Sequence, residues 1–105
     1  MSEIVVVAEI GILPEKREDA LAALEELCTQ THAKDPGCLL YALQLDPADE
    51  SRVFMLEKWE SPEALQAHGA SDHIRAFGEA GLVSGPPKVT VLTQAGYGDA
   101  AKATV

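Results

Sequence analysis

The hydrophobic patterning of the chain predicts a single α+β domain with the order β-α-β-β-α-β. Three observations carry this expectation. Four short apolar runs, at 4–10, 38–45, 52–60 and 88–94, read as strands. One helical stripe separates the first two runs, and an interrupted helical stretch separates the last two. The second and third runs are joined only by a polar turn, 46–51, which makes them a hairpin.

Ile4-Val-Val-Val-Ala-Glu-Ile10 is β-branched and apolar on both alternating faces, the signature of a strand covered on both sides. Pro14 suits the first turn of a helix, where its missing N–H costs nothing. From Glu15 the spacing becomes helical. Ala20, Leu21, Leu24, Leu27, Cys28 and Thr31 share a stripe, while Glu18, Asp19, Glu25 and Glu26 face away. That helix must end before Pro36-Gly37. Cys38–Leu45 and Arg52–Glu60 form the hairpin. Ser61 is a fitting N-cap, Pro62 a fitting first helical residue, and Ala64, Leu65 and His68 share a face. Gly69 interrupts the helix, and Ser71 caps a second piece from Asp72 to Ala80 with Ile74 and Phe77 inward. Lys88–Gln94 is the fourth strand. Residues 1–95 thus form the domain, and 96–105, without periodicity, a loose tail. Two helices against a four-stranded antiparallel sheet give a ferredoxin-like arrangement.

Two helices cover one sheet face, yet several strands are apolar on both. Val5 and Val7 oppose Ile4 and Val6. Phe54 and Leu56 oppose Val53 and Met55. Leu39, Tyr41, Leu43 and Leu45 oppose Cys38, Leu40 and Ala42. A wet face would alternate polar residues there. A second copy of the chain is the simplest cover, so a homodimer packed sheet to sheet is expected.

Composition narrows the function classes. The 105 residues include 17 acidic and 8 basic side chains, a formal charge of −9, with 47% hydrophobic residues. That balance disfavours nucleic acid and anionic membranes. Cys28 and Cys38 are too few for a disulfide scaffold and read as buried thiols. No apolar run reaches the ~18 residues of a membrane span, and no basic leader precedes the first strand, so the expected location is cytoplasmic.

The chemistry concentrates in 54–74, which holds the only Trp and two of the three His. Glu57 and Trp59 are two apart on a strand and so share a face, with Val53 and Met55 behind them. Glu57 either meets water or an Arg at the strand end, or serves a pocket. Trp59 is either core or a pocket wall with an N–H to donate. His68, on the inner helix face, is a core residue or a base suited to an acidic phenol or quinol. His73 opens the next helix. The two histidines are five apart across a Gly, not the i, i+4 spacing of a helical His pair, so no metal is expected. There is no Gly-rich phosphate loop or dinucleotide fingerprint.

The segments Asp35-Pro-Gly-Cys-Leu-Leu-Tyr41, Phe54-Met-Leu-Glu-Lys-Trp-Glu-Ser-Pro-Glu-Ala-Leu65, His68 and Ser71-Asp-His73 resemble the antibiotic biosynthesis monooxygenase family, the dimeric α+β barrel group that includes quinol monooxygenases. The resemblance runs from Ile4 to about Thr93. It implies a subunit that dimerises through its sheet, with a pocket between sheet and helices. It also implies oxidation of a small quinol- or anthrone-like aromatic by O₂ without cofactor. On that resemblance His68, Trp59 and Glu57 are the catalytic group, and His73, Tyr41, Met55 and Phe77 contact substrate. The haem-degrading branch uses an Asn late in the first strand, and a Trp and a His on the second helical region. The matching places here carry Ile10, His68 and Gly78, so haem degradation is not expected. A non-catalytic dimeric binding or stress-response module, or a small-molecule isomerase, are the other readings of such a pocket.

Overall fold

The structure, a computed structural model, describes residues 3–105. Its strands are β1 (Ile4–Gly11), β2 (Cys38–Leu45), β3 (Arg52–Trp59) and β4 (Lys88–Leu92). Its helices are α1 (Arg17–Lys34), α2 (Pro62–Gly69), α3 (Asp72–Glu79) and the single-turn α4 (Ala100–Ala103). The strands form one antiparallel sheet in the order β2-β3-β1-β4. This is the ferredoxin-like α+β domain expected from the sequence. Pro14 starts a 3₁₀ turn, Pro14–Lys16, and regular α geometry begins at Arg17.

One continuous core lies between the sheet and the helices. Ile4, Val6, Ala8 and Ile10 of β1, with Val53, Met55 and Trp59 of β3, meet Ala20, Leu24 and Leu27 of α1. Those α1 positions recur every three or four residues, so one stripe is buried and the acidic face is left in water. Burying a Leu or Val in this way contributes ~1.5–3 kcal/mol. His32, at the end of α1, hydrogen-bonds through Nε2 to the Tyr41 carbonyl at 2.9 Å and ties α1 to β2.

The β2–β3 pairing departs from simple alternation. Cys38 faces Trp59 and Tyr41 faces Glu57, three residues apart on β2 but two on β3, so a bulge lies between Cys38 and Leu40. Strict alternation had placed Cys38 opposite Tyr41 in facing. The extra residue returns both to the helix side, where each joins the core. Cys28 and Cys38 are free, half-buried thiols, and burial raises both above the ordinary thiol range.

The other face of the sheet carries no helix except at one end. There Val5, Val7, Leu40, Ala42, Phe54 and Leu56 form an apolar strip. The tail is more ordered than its sequence suggests. Asp99 caps α4, Lys58 Nζ donates to the Val105 carbonyl at 3.2 Å, and Val105 N donates to Gln94 Oε1 at 2.6 Å. No helix among the described residues is long and apolar enough to cross a membrane.

Candidate active site

Strand β3 ends by presenting Glu57 and Trp59 on the helix side of the sheet, because residues two apart share a face. Trp59 is fully buried (0% exposed), and its Nε1–H donates to Glu57 Oε1 at 2.9 Å. Glu57 itself is 5% exposed, and this is its one side-chain hydrogen bond among the described residues. Burial pushes its carboxyl up to about 7, with the indole N–H pulling the other way. Tyr41, across the hairpin from Glu57, is also buried, and burial, reinforced by the Glu57 charge, raises its phenol.

The turn after β3 sets the helix that brings in the histidines. Ser61 Oγ accepts from Ala64 N at 3.1 Å and starts α2, which ends at Gly69, one residue after delivering His68. Ser71 then does two jobs. Its hydroxyl donates to the His68 carbonyl at 2.6 Å and accepts from Ile74 N at 3.3 Å, so the end of α2 and the start of α3 share one side chain. Gly37 lies against this unit: a Cβ there would collide with the Ala64 side chain. That close approach sets the link from α1 to β2 beside α2 and leaves Asp35 next to both histidines.

His68 is 4% exposed. Its ring lies 4.6 Å from the Trp59 ring, tilted by 38°, and edge-on to Tyr41 at 5.0 Å. Its Nδ1 is 2.7 Å from Asp35 Oδ2, and the same oxygen is 3.0 Å from His73 Nε2. Burial lowers the His68 pKa, and the Asp35 partner offsets this only in part. Burial alone would raise the Asp35 carboxyl. The two imidazole hydrogen bonds outweigh it and hold the carboxyl below its usual range. His68 is therefore neutral at neutral pH, with its proton on Nδ1 toward an ionised Asp35. Nε2 has no protein partner among the described residues and carries the free lone pair.

Two cavities meet at this cluster. The inner one, of about 460 Å³, lies between the sheet and α2–α3 and is lined by Glu57, His68, Tyr41, Met55, Phe77 and apolar β1 side chains. The outer one, a groove of about 580 Å³ between α1 and α3, is lined by Asp35, His73, Ser71, Gln30 and Lys34, with Phe77 reaching both. Five of the seven residues singled out from the sequence thus face one cavity. Trp59 stands behind it and spends its N–H on Glu57. His73 opens onto the outer groove instead. Asp35 is the residue that sequence reasoning passed over. It lies within the quoted Asp-Pro-Gly motif, but nothing local marks a contact with residues 33 and 38 positions away.

Among the described residues, Asp35, His68 and His73 are the one group whose donor atoms, all within 4.8 Å, are close enough to hold a cation. Their 2.7 and 3.0 Å separations are those of N–H donors on a carboxylate oxygen, and we assign them to hydrogen bonding.

Comparison with known proteins agrees with this architecture. The sequence matches the antibiotic biosynthesis monooxygenase family over residues 3–80. It is 34% identical over 85 residues to the Bacillus subtilis protein named "Putative monooxygenase YcnE", spanning 79% of this chain and 88% of that one. Among solved structures it resembles a "putative antibiotic biosynthesis monooxygenase" from Caulobacter crescentus, with 30% identity and a TM-score of 0.80 over 87% of this chain and 88% of the other. It also resembles Rv0793 from Mycobacterium tuberculosis, with 28% identity and a TM-score of 0.77 over 88% and 94%. A match across residues 3–80, together with the shared fold, means that the chain belongs to the antibiotic biosynthesis monooxygenase family.

Proposed function

We propose that the protein is a cofactor-independent monooxygenase that oxidises a quinol- or anthrone-like aromatic with O₂. The observation that carries this reading is the free Nε2 of His68, on a ring fixed by Asp35 and Trp59, at the wall of a largely apolar cavity. A cavity of about 460 Å³ falls within the ~300–1,000 Å³ usual for small-molecule sites.

In this mechanism His68 Nε2 takes the acidic proton of the bound aromatic. The resulting anion passes one electron to O₂, and the substrate radical and superoxide combine in a C–O bond. The peroxide recovers a proton. Its O–O bond then breaks as the second hydrogen leaves the carbon, giving a carbonyl and water. A methylene carbon and O₂ thus become a ketone and water, with O₂ accepting all four electrons. The protein contributes deprotonation, exclusion of water and stabilisation of the anion. Glu57, poised near neutrality, supplies a neutral carboxyl as hydrogen-bond donor to the substrate oxygen. Met55, Tyr41 and Phe77 supply the apolar and aromatic walls.

The working unit in this reading is a homodimer joined through the apolar strip of the open sheet face. Support comes from Val7, Leu40, Ala42, Phe54 and Leu56 on that face, which the chain itself leaves only half-buried.

An oxygen electrode tests the activity against a panel of anthrones and dihydroxynaphthalenes, in air and under argon with product analysis. O₂ uptake above the buffer rate, with one ¹⁸O atom from ¹⁸O₂ in the product, is the expected result. Tight binding without O₂ uptake would point instead to a binding module, and turnover under argon to an isomerase.

A further inference from the structure

Asp35 Oδ2 joins two imidazoles that belong to different cavities. His68 lines the inner cavity and not the outer groove; His73 lines the outer groove and not the inner cavity. The carboxylate oxygen between them is 2.7 Å from one and 3.0 Å from the other, and the rings are 5.8 Å apart. One carboxylate can neutralise one imidazolium. Two cationic rings this close would repel, so the trio favours holding a single extra proton that either ring can carry.

We propose that Asp35 couples His68 and His73 into one proton-handling unit, in which the proton His68 takes from substrate in the inner cavity is offset by one that His73 releases to water in the outer groove. This rests on the oxygenase reading above for the identity of the proton donor, while the coupling stands on the geometry alone. In this unit the extra proton rests on His73 before substrate binds, because His68 is the more deeply buried of the two rings. When His68 Nε2 accepts the substrate proton, His73 gives up its Nδ1 proton to the groove, and the charge of the trio is unchanged. When the peroxide needs a proton, His68 returns it and His73 takes one back. No proton has to pass through the carboxylate oxygen, which stays an acceptor from both rings throughout.

The surroundings suit this exchange. Toward the inner cavity the other titratable groups near His68 are Glu57 and Tyr41, and β1 offers only apolar side chains. Around His73 the outer groove presents Glu26 and Lys34 from α1 and Asp72 from α3, and it opens to solvent. The His73 side chain is 10% exposed, buried enough to be held and open enough to exchange.

Histidine side-chain NMR on the full chain tests the coupling without any turnover. His68 should titrate at a higher pH in His73→Gln than in the wild type, since the competing cation is gone. The two wild-type rings should show linked titration steps. Identical His68 titration in the two proteins would overturn the proposal. So would stoichiometric binding of added Zn²⁺ by the trio, because ligation displaces the Nδ1 proton. In the oxygen assay, His73→Ala should lower kcat roughly tenfold with little change in KM, and added imidazole should restore it. Loss without imidazole rescue, in a variant with an unchanged circular dichroism spectrum, would reduce His73 to a structural part. If no aromatic consumes O₂, the oxygenase reading fails while the NMR result still decides the coupling.

Discussion

His68 Nδ1 and Asp35 Oδ2 lie 2.7 Å apart, joining the last turn of α2 to the end of α1 across 33 residues of chain. The contact decides which nitrogen of His68 is a donor and which is a base. It follows that the carboxylate, though outside the inner cavity, sets the chemistry within it.

Asp35→Asn should therefore lower kcat/KM by on the order of 10²–10⁴-fold, because the amide no longer holds the ring with Nε2 free. The stability effect has a defined sign. The native Asp35 carboxyl is depressed, so its contribution is present above the unfolded value of about 4 and lost as pH falls through the folded one. Urea midpoints of wild type and variant should differ at pH 7 and converge toward pH 3.

Glu57 acts in the opposite direction. Its carboxyl is raised to about 7 from 4.5, so between those values the folded state holds a proton that the unfolded state has lost. Its contribution to stability falls as pH rises through that window and levels off above it. Glu57→Gln should remove this slope and gain stability relative to wild type between pH 5 and pH 8. The shift corresponds to on the order of 3 kcal/mol as an upper figure. Denaturant titrations at the two pH values measure it, and equal differences at both would contradict the assignment.

Trp59→Phe tests the indole separately from the ring packing. It keeps most of the aromatic volume but removes the N–H that Glu57 accepts, so the Glu57 carboxyl should titrate still higher. Carbon-detected NMR of the labelled carboxyl reads this directly. Trp59→Ala, by contrast, should cost about 3–5 kcal/mol, because the side chain is fully buried under the His68 ring.

The open sheet face yields a prediction about mass. Phe54 and Leu56 lie on the face without helices, opposite Val53 and Met55. Light scattering of the wild type at micromolar concentration should give twice the chain mass, and Leu56→Lys should give one chain with unchanged circular dichroism. A wild-type mass of one chain would remove the dimer.

The fold was legible because each element announces itself locally. The 3.6-residue stripe of α1, Ser61 and Ser71 ahead of their helices, and the polar link 46–51 are all short-range signals. The pairing of Glu57 with Trp59 was legible for the same reason, since a spacing of two on a strand fixes a shared face. What escaped is long-range or depends on one backbone irregularity. The bulge before Leu40 puts Cys38 and Tyr41 on the same side, and no residue type there marks it. Asp35 reads as an ordinary polar residue before Pro-Gly until α2 and α3 fold against it. His73 shares the motif with His68, but the α2–α3 turn points it into a different cavity.

The central claim is that His68 removes a proton from an aromatic that then reacts with O₂. Its most direct test is the O₂ uptake of wild type and His68→Ala at saturating anthrone across pH 5–9. The account predicts that wild-type uptake rises with pH as His68 loses its proton and that the variant falls to the buffer rate. Equal uptake by the two proteins at every pH would contradict it.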